Sequence, residues 1–291
     1  MTYPDILFGV SKSPTLPVVQ RVTRSDLSHS LKRGVDDFLA MPSHVVFLCV
    51  IYPLVCILLF VMTFGYPLLP LVLAIGVACT LVGPPVAAGL HEVSRRREAG
   101  LDSSWGHALN VLNSPAVGAI VAFSFLLIAI FLIWLAIAKT IYTANFDYVP
   151  PSIVESIDAL LDTPAARALI IVETAVGLFV TVLVFTLSAI SLPLLLDRDV
   201  GAAVALLTSF RVVVANPLTM TRWGFTVATL LVIGPIPFFL CLAVVLPVLG
   251  HATWHLYRRT VSPARAQFKA PEEDRNILLG RTLYSQALRS D

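Results

Sequence analysis

The sequence is poor in charge. Asp, Glu, Lys and Arg make up 13% of its 291 residues, where an ordinary soluble domain is nearer a quarter. With 57% of the residues apolar, the chain has too few polar groups for a water-facing surface, and its solvent is read as lipid. Cysteine is scarce as well. Cys49, Cys56, Cys79 and Cys241 all lie inside apolar stretches and form no CxxC pair, so they read as buried free thiols packing as small apolar groups. The start of the chain is polar and proline-rich, without the early apolar core of a cleavable signal peptide. Basic residues are scattered and not interleaved with aromatics, which argues against a nucleic-acid partner. No Ser/His/Asp constellation, Walker loop or dinucleotide fingerprint occurs, and no arginine ladder marks a voltage sensor.

What the sequence does have is a unit that occurs three times. A short amphipathic segment ends at a proline and a long apolar stretch follows at once. The copies read SLKRGVDDFLAMP–SHVVFLCVIYPLVCILLF, SSWGHALNVLNSP–AVGAIVAFSFLLIAIFLIW and ALLTSFRVVVANP–LTMTRWGFTVATLLVIG. Pro42, Pro115 and Pro217 hold the same place in each. A proline disfavours helical geometry at the residue before it, so each marks a turn into the membrane. Asp26, Asp102 and Asp199 stand near the starts of the pre-proline segments, where a carboxylate caps free N–H groups. Leu27, Leu31, Val35, Phe38 and Leu39 give the first segment an apolar face, and Trp105, Leu109 and Leu112 give the second a shorter one. These two read as helices lying in the headgroup region. The third segment is apolar nearly all round apart from Arg211 and is expected to be more buried.

A helix needs roughly 20 apolar residues to cross a bilayer. Candidate spans run from His44 to Phe64, Tyr66 to Leu90, Ala116 to Ile141 and Arg167 to Leu196. Pro217 to Tyr257 is long enough for two more, with Gly234-Pro235-Ile236-Pro237 as the turn, or for one tilted helix over Trp223 to Gly250. Charge favours six. With both termini inside, eighteen of the twenty basic residues fall on the cytoplasmic side, and only Lys139 and Arg167 fall outside. The predicted architecture is therefore an all-α membrane protein of six transmembrane helices, arranged as three hairpins each preceded by an interfacial amphipathic helix. Residues 1–24 form a disordered cytoplasmic N-terminus and 25–261 the membrane domain, with repeats about 25–92, 101–196 and 199–258. Residues 262–291 form a cytoplasmic tail.

Few residues invite chemistry. His251 and His255 share a helix face, and His91 at the end of the second span would be a third ligand for a metal or haem. The competing explanation is that His251, Trp254, His255 and Tyr257 are amphipathic rings at the level where a span leaves the membrane. Glu173 is the one acidic residue inside a span proper and is a candidate intramembrane polar site, with Arg167 or Lys139 as partner. Prolines inside the spans, Gly83-Pro84-Pro85 above all, free backbone carbonyls that neighbours must satisfy.

The runs LPVLGHATWHLYRR (Leu246 to Arg259), SLPLLLDRDVGAAVALLTSFRVVVANP (Ser191 to Pro217) and GPPVAAGLHEVSRRREAG (Gly83 to Gly100) resemble a bacterial, mainly proteobacterial, family of integral membrane proteins classed as a domain of unknown function. The resemblance covers about Arg24 to Val261. It implies a multi-pass protein of the bacterial inner membrane and brings no established activity, ligand or active-site residue with it. The expected function is that of a non-enzymatic scaffold, assembly or accessory factor, with no cofactor and no catalytic residue. Its partners would be membrane lipids, anionic ones suiting the basic rim, or a membrane protein complex. The alternatives are a transporter for a small amphipathic molecule and a haem or metal protein using the cytoplasmic-side histidines.

Overall fold

The computed structural model describes residues 16–41, 69–103, 108, 111–145, 164–234 and 241–261, with side chains in the second of these ranges given from Gly83 onward. The elements among the described residues are all helices: α1 (Arg24–Ala40), α2 (Leu69–Glu98), α3 (Val117–Asn145), α4 (Pro164–Ser188), α5 (Ser191–Asp197), α6 (Gly201–Ala215), α7 (Pro217–Ile233) and α8 (Leu242–Thr260). Pro42 and the first predicted span, His44 to Phe64, lie outside the described residues, as does most of the second pre-proline segment.

Two stretches are long and apolar enough to cross a membrane, Val117–Ile141 and Ile171–Asp197, and the bent pair α6–α7 passes the same test as one unit. α3 and α4 are strongly apolar apart from their ends, Lys139 of α3 and Glu173 of α4, and they leave Phe125, Ile133, Ile171, Leu178 and Phe179 exposed. Such side chains match a hydrocarbon solvent as well as they match a protein core. Pro115 precedes α3 at a turn, and Pro217 sits in the first turn of α7, where its missing N–H is not needed. The chain bends by 106° between α6 and α7. Over Pro217 to Tyr257, where two spans or one tilted helix are expected, the structure has two helices, α7 ending at Ile233 and α8 beginning at Leu242, and neither alone passes the test for a crossing. α2 continues as a helix through Pro84 and Pro85.

α8 is the hub. It packs most extensively on α1, then on α2, and also meets α5 and α7. Trp254, Leu256, Tyr257, Ala252 and His251 are all essentially inaccessible. Two glycines permit this crowding. A Cβ on Gly34 of α1 would stand 2.6 Å from the Val248 carbonyl oxygen and 2.7 Å from the Ala252 amide nitrogen. A Cβ on Gly250 would meet the Leu90 side chain at 2.7 Å. Small residues at a contact let backbones approach, as they do between helices in lipid.

The face that α1 buries differs from the apolar stripe read from the sequence. Leu27, Ser30, Gly34 and Asp37 turn inward, while Val35 and Leu39 stay exposed. Thr23 holds the N-cap of this helix and Asp26 stands in its first turn, where its Oδ2 accepts from the Thr23 amide at 2.8 Å and from Thr23 Oγ1 at 2.7 Å. Asp199 does not play the expected part, because Val200 holds the N-cap of α6 and no side chain caps it. Asp102 is exposed, and its backbone carbonyl accepts from Arg96 Nε at 2.6 Å.

A break between α4 and α5 is stitched by α6. The Ser209 hydroxyl donates to the Thr186 carbonyl at 2.7 Å and accepts from the Ile190 amide at 3.2 Å. It thus stands inside the pair that an unbroken helix would have made directly, a recognised cause of helix bending. The N-terminal strap is held in a similar way. Asn216, at the α6–α7 bend, accepts from the Val22 amide at 2.8 Å and donates to the Gln20 carbonyl at 3.0 Å. Thr219 donates to the Val22 carbonyl at 3.0 Å, and Val19 pairs with Val261 as an isolated bridge.

Candidate functional site

Where α1, α2 and α8 meet, their polar residues converge on one carboxylate. Asp37 is 4% exposed. Its Oδ2 accepts from Ser94 Oγ at 2.6 Å and from His255 Nε2 at 2.8 Å, and its Oδ1 pairs with Arg97 Nη1. Ser94 Oγ also lies 2.8 Å from His251 Nδ1. A serine hydroxyl has one proton, and here it points to the carboxylate, so Ser94 accepts from the His251 Nδ1–H. The donors therefore run in sequence from His251 through Ser94 to Asp37. Burial alone would raise the Asp37 carboxyl, but the hydrogen bonds from His255 and Ser94 outweigh it and hold the group below its ordinary value.

His91 joins the cluster from α2. Its ring faces the Gly250 carbonyl, while the His251 ring faces the Leu90 carbonyl. Each histidine thus reaches the residue before the other, across the close approach that Gly250 allows. His91 Nδ1 and His251 Nε2 are buried without a hydrogen-bond partner in normal geometry. Burial is the main cause that pushes His91 down to about 3 and His251 down to about 4, so both rings are neutral at neutral pH.

Around this centre lies a belt of ion pairs at one end of the bundle. Glu92, nearly buried, takes Arg95 through two bonds of 2.7 and 2.8 Å. Glu98 accepts from Trp254 Nε1 at 2.9 Å and from Arg258 at 3.1 Å. Tyr257 donates to Asp197 at 2.5 Å; burial and this bond raise the phenol well above its usual range. These histidines, Asp37 and Tyr257 all lie outside the candidate crossings named above.

The expected trio of histidines is thus brought to one place, but its members are spent differently. His255 bonds Asp37, His251 bonds Ser94, and His91 packs beside His251. Among the described residues no group of three or more His, Cys, Asp or Glu is arranged to hold a metal ion. Ser94 cannot act as a triad nucleophile, since it is fully buried and stands between the histidine and the carboxylate instead of at the end of the chain. Glu173 is half-buried on α4, away from this cluster; the Arg167 side chain is outside the described residues and Lys139 is exposed. Thr181 and Ser188 give their hydroxyls to the carbonyls of Gly177 and Val184 in their own helix.

Asp37, Ser94, Arg97 and Asn216 were not singled out by sequence reasoning. One signal pointed to the first. Ser30 and Gly34 form a small-xxx-small pair, and Asp37 is the next position on that face.

A helical membrane protein with a closed polar clasp at one end of its bundle is the class these features define. Residues 68–197, a little under half of the chain, match the model of a family described as a predicted integral membrane protein, DUF2189. The closing run from Leu246 to Arg259, which forms most of α8, lies outside the matched residues. No curated protein and no solved structure matches the chain.

Proposed function

We propose that this chain is a multi-pass protein of the bacterial inner membrane that works without catalytic chemistry of its own, as a scaffold or assembly factor contacting a membrane complex or anionic lipid. Its topology would be six spans in three hairpins with both termini cytoplasmic. α3 would pair with α4 and α5, and α7 with the apolar half of α8 up to about Gly250. α6 would be the interfacial helix of the third unit. The observation that carries the functional reading is the closure of the polar cluster. Asp37 accepts from Ser94, His255 and Arg97, His251 stands behind Ser94 in series, and Ser94 and His251 have no exposed surface. Groups consumed in holding helices together are positioned to specify a fold rather than to meet a substrate. The test is purification of the tagged full-length chain in gentle detergent, with identification of what accompanies it. One companion in fixed ratio supports the assembly reading; repeated recovery of the chain alone overturns it.

A second reading, metal binding, draws support from the two buried imidazole nitrogens without partners, His91 Nδ1 and His251 Nε2. Metal analysis and a visible spectrum of the purified chain test it. A metal-to-protein ratio near one that is lost in His91→Phe supports it, and a metal-free, colourless protein overturns it.

A further inference from the structure

A groove runs along α6 at the bend into α7. Leu16, Pro17, Val18 and Val19 of the strap form one wall, and Phe210, Arg211, Val214 and Ala215 form the other, around a space of about 480 Å³. That volume falls within the range of small-ligand sites. The strap wall is built rather than loose, because Asn216, Thr219, Thr260 and Val261 all bond it. The lining is apolar except for Arg211. Outside the groove the same helix face continues with exposed Leu207 and, past the bend, exposed Leu218.

Among the described residues the charge around this groove has one sign. Arg211 is exposed, and no carboxylate pairs with it among the described residues; the same holds for Arg21 on the strap and Arg222 on α7. From Val200 to Pro271 the chain contains no Asp or Glu at all. Elsewhere in the molecule Arg95, Arg97, Arg258 and Arg259 all have acidic partners. An apolar slot beside a bent candidate crossing, with an unpaired cation set into its lining, fits an acyl chain joined to an anionic head.

We propose that this groove holds one anionic phospholipid, its acyl chain between Val18 and Val214 and its phosphate on Arg211. Arg21 and Arg222 would add to the field at the headgroup. The inference deepens the reading of this chain as a membrane protein that contacts anionic lipid, and it names the place.

Native mass spectrometry of the full-length chain, exchanged into detergent with equal phosphatidylglycerol and phosphatidylcholine, tests the site. The wild type is expected to retain one phosphatidylglycerol in preference to phosphatidylcholine. Arg211→Gln should weaken that preference about five-fold, the equivalent of roughly 1 kcal/mol per arginine beside anionic lipid. Arg211→Lys should keep most of it. Ala215→Trp, an exposed position that would fill the slot, should reduce retention of both lipids. Equal retention of the two lipids by the wild type, or a preference unchanged in Arg211→Gln, overturns the proposal; the groove is then covered by bulk lipid or by another part of the chain. The measurement uses the isolated chain, so its failure leaves the search for a stoichiometric companion standing, and the reverse also holds.

Discussion

Replacing Asp37 by asparagine should cost the fold about 3 kcal/mol. The side chain keeps its size but loses its charge and one acceptor oxygen, and it brings an NH₂ into a shell made of donors. Hydrogen bonds to a charged group contribute about 1.5–3 kcal/mol each, and Asp37 makes a buried one from Ser94 and a part-buried one from His255. Removing one partner of a buried charge pair costs about 3–5 kcal/mol. The third partner deserves a discount: the Arg97 side chain is 37% exposed and can turn to water. These terms overlap rather than add, which places the sum near the lower end of the pair-breaking range. Thermal unfolding of the full-length chain in detergent, followed by the fluorescence of buried Trp223 and Trp254, would read the loss as a fall of roughly 5–10 °C. Asp36→Asn, its exposed neighbour, should move the transition little, since surface changes stay within about 0.5 kcal/mol. Ser94→Ala should add less in the Asp37→Asn background than alone, with a coupling of about 1 kcal/mol or more. If Asp37→Asn melts with the wild type, the carboxylate does not organise the clasp.

Other perturbations have expected outcomes. Gly34→Ala gains about 1 kcal/mol of helix propensity, but its Cβ would meet backbone atoms of Val248 and Ala252 at 2.6 and 2.7 Å, so overpacking should leave the protein about 1–3 kcal/mol less stable in the same melt. Asn216→Ala removes its bonds to the Val22 amide and the Gln20 carbonyl, and limited proteolysis should then cut the strap near Arg21 several-fold faster. His91 and His251 titrate near 3 and 4 in the fold and near 6.5 when unfolded. Below about pH 6.5 the unfolded chain therefore binds protons that the folded chain refuses, and stability falls as pH drops toward 4, by about 1.4 kcal/mol per unit for each histidine. Melts at pH 5.0 and 7.0 measure the slope, and His91→Phe should reduce it.

Part of the site was legible in the sequence. The spacing of His251 and His255 put both on one helix, and their place beyond the apolar half of α8 set them beside His91 at the end of α2. What they bond to was not legible. Asp37 lies 57 residues from Ser94 and 218 from His255 in sequence, and no local pattern encodes contacts between helices that distant. The Asp199 cap failed for a local reason: Gly201 opens α6 with a positive φ of 71°, and the helix starts from Val200.

The sequence by itself determined the solvent and the long helices. Transfer of a helix such as α3 into hydrocarbon depends on its composition, which can be summed without knowing a single neighbour. It also determined the break at Pro217, because a proline's restriction of the residue before it is local. Only the tertiary structure decided which face of α1 turns inward. In water the stripe of Leu31, Val35 and Leu39 would drive packing, but lipid tails are as apolar as leucine, and burying that stripe gains little. Close backbone approach at Gly34 and a fully bonded Asp37 are what lipid cannot supply, so Ser30, Gly34 and Asp37 turn inside with Leu27, while Val35 and Leu39 are left out.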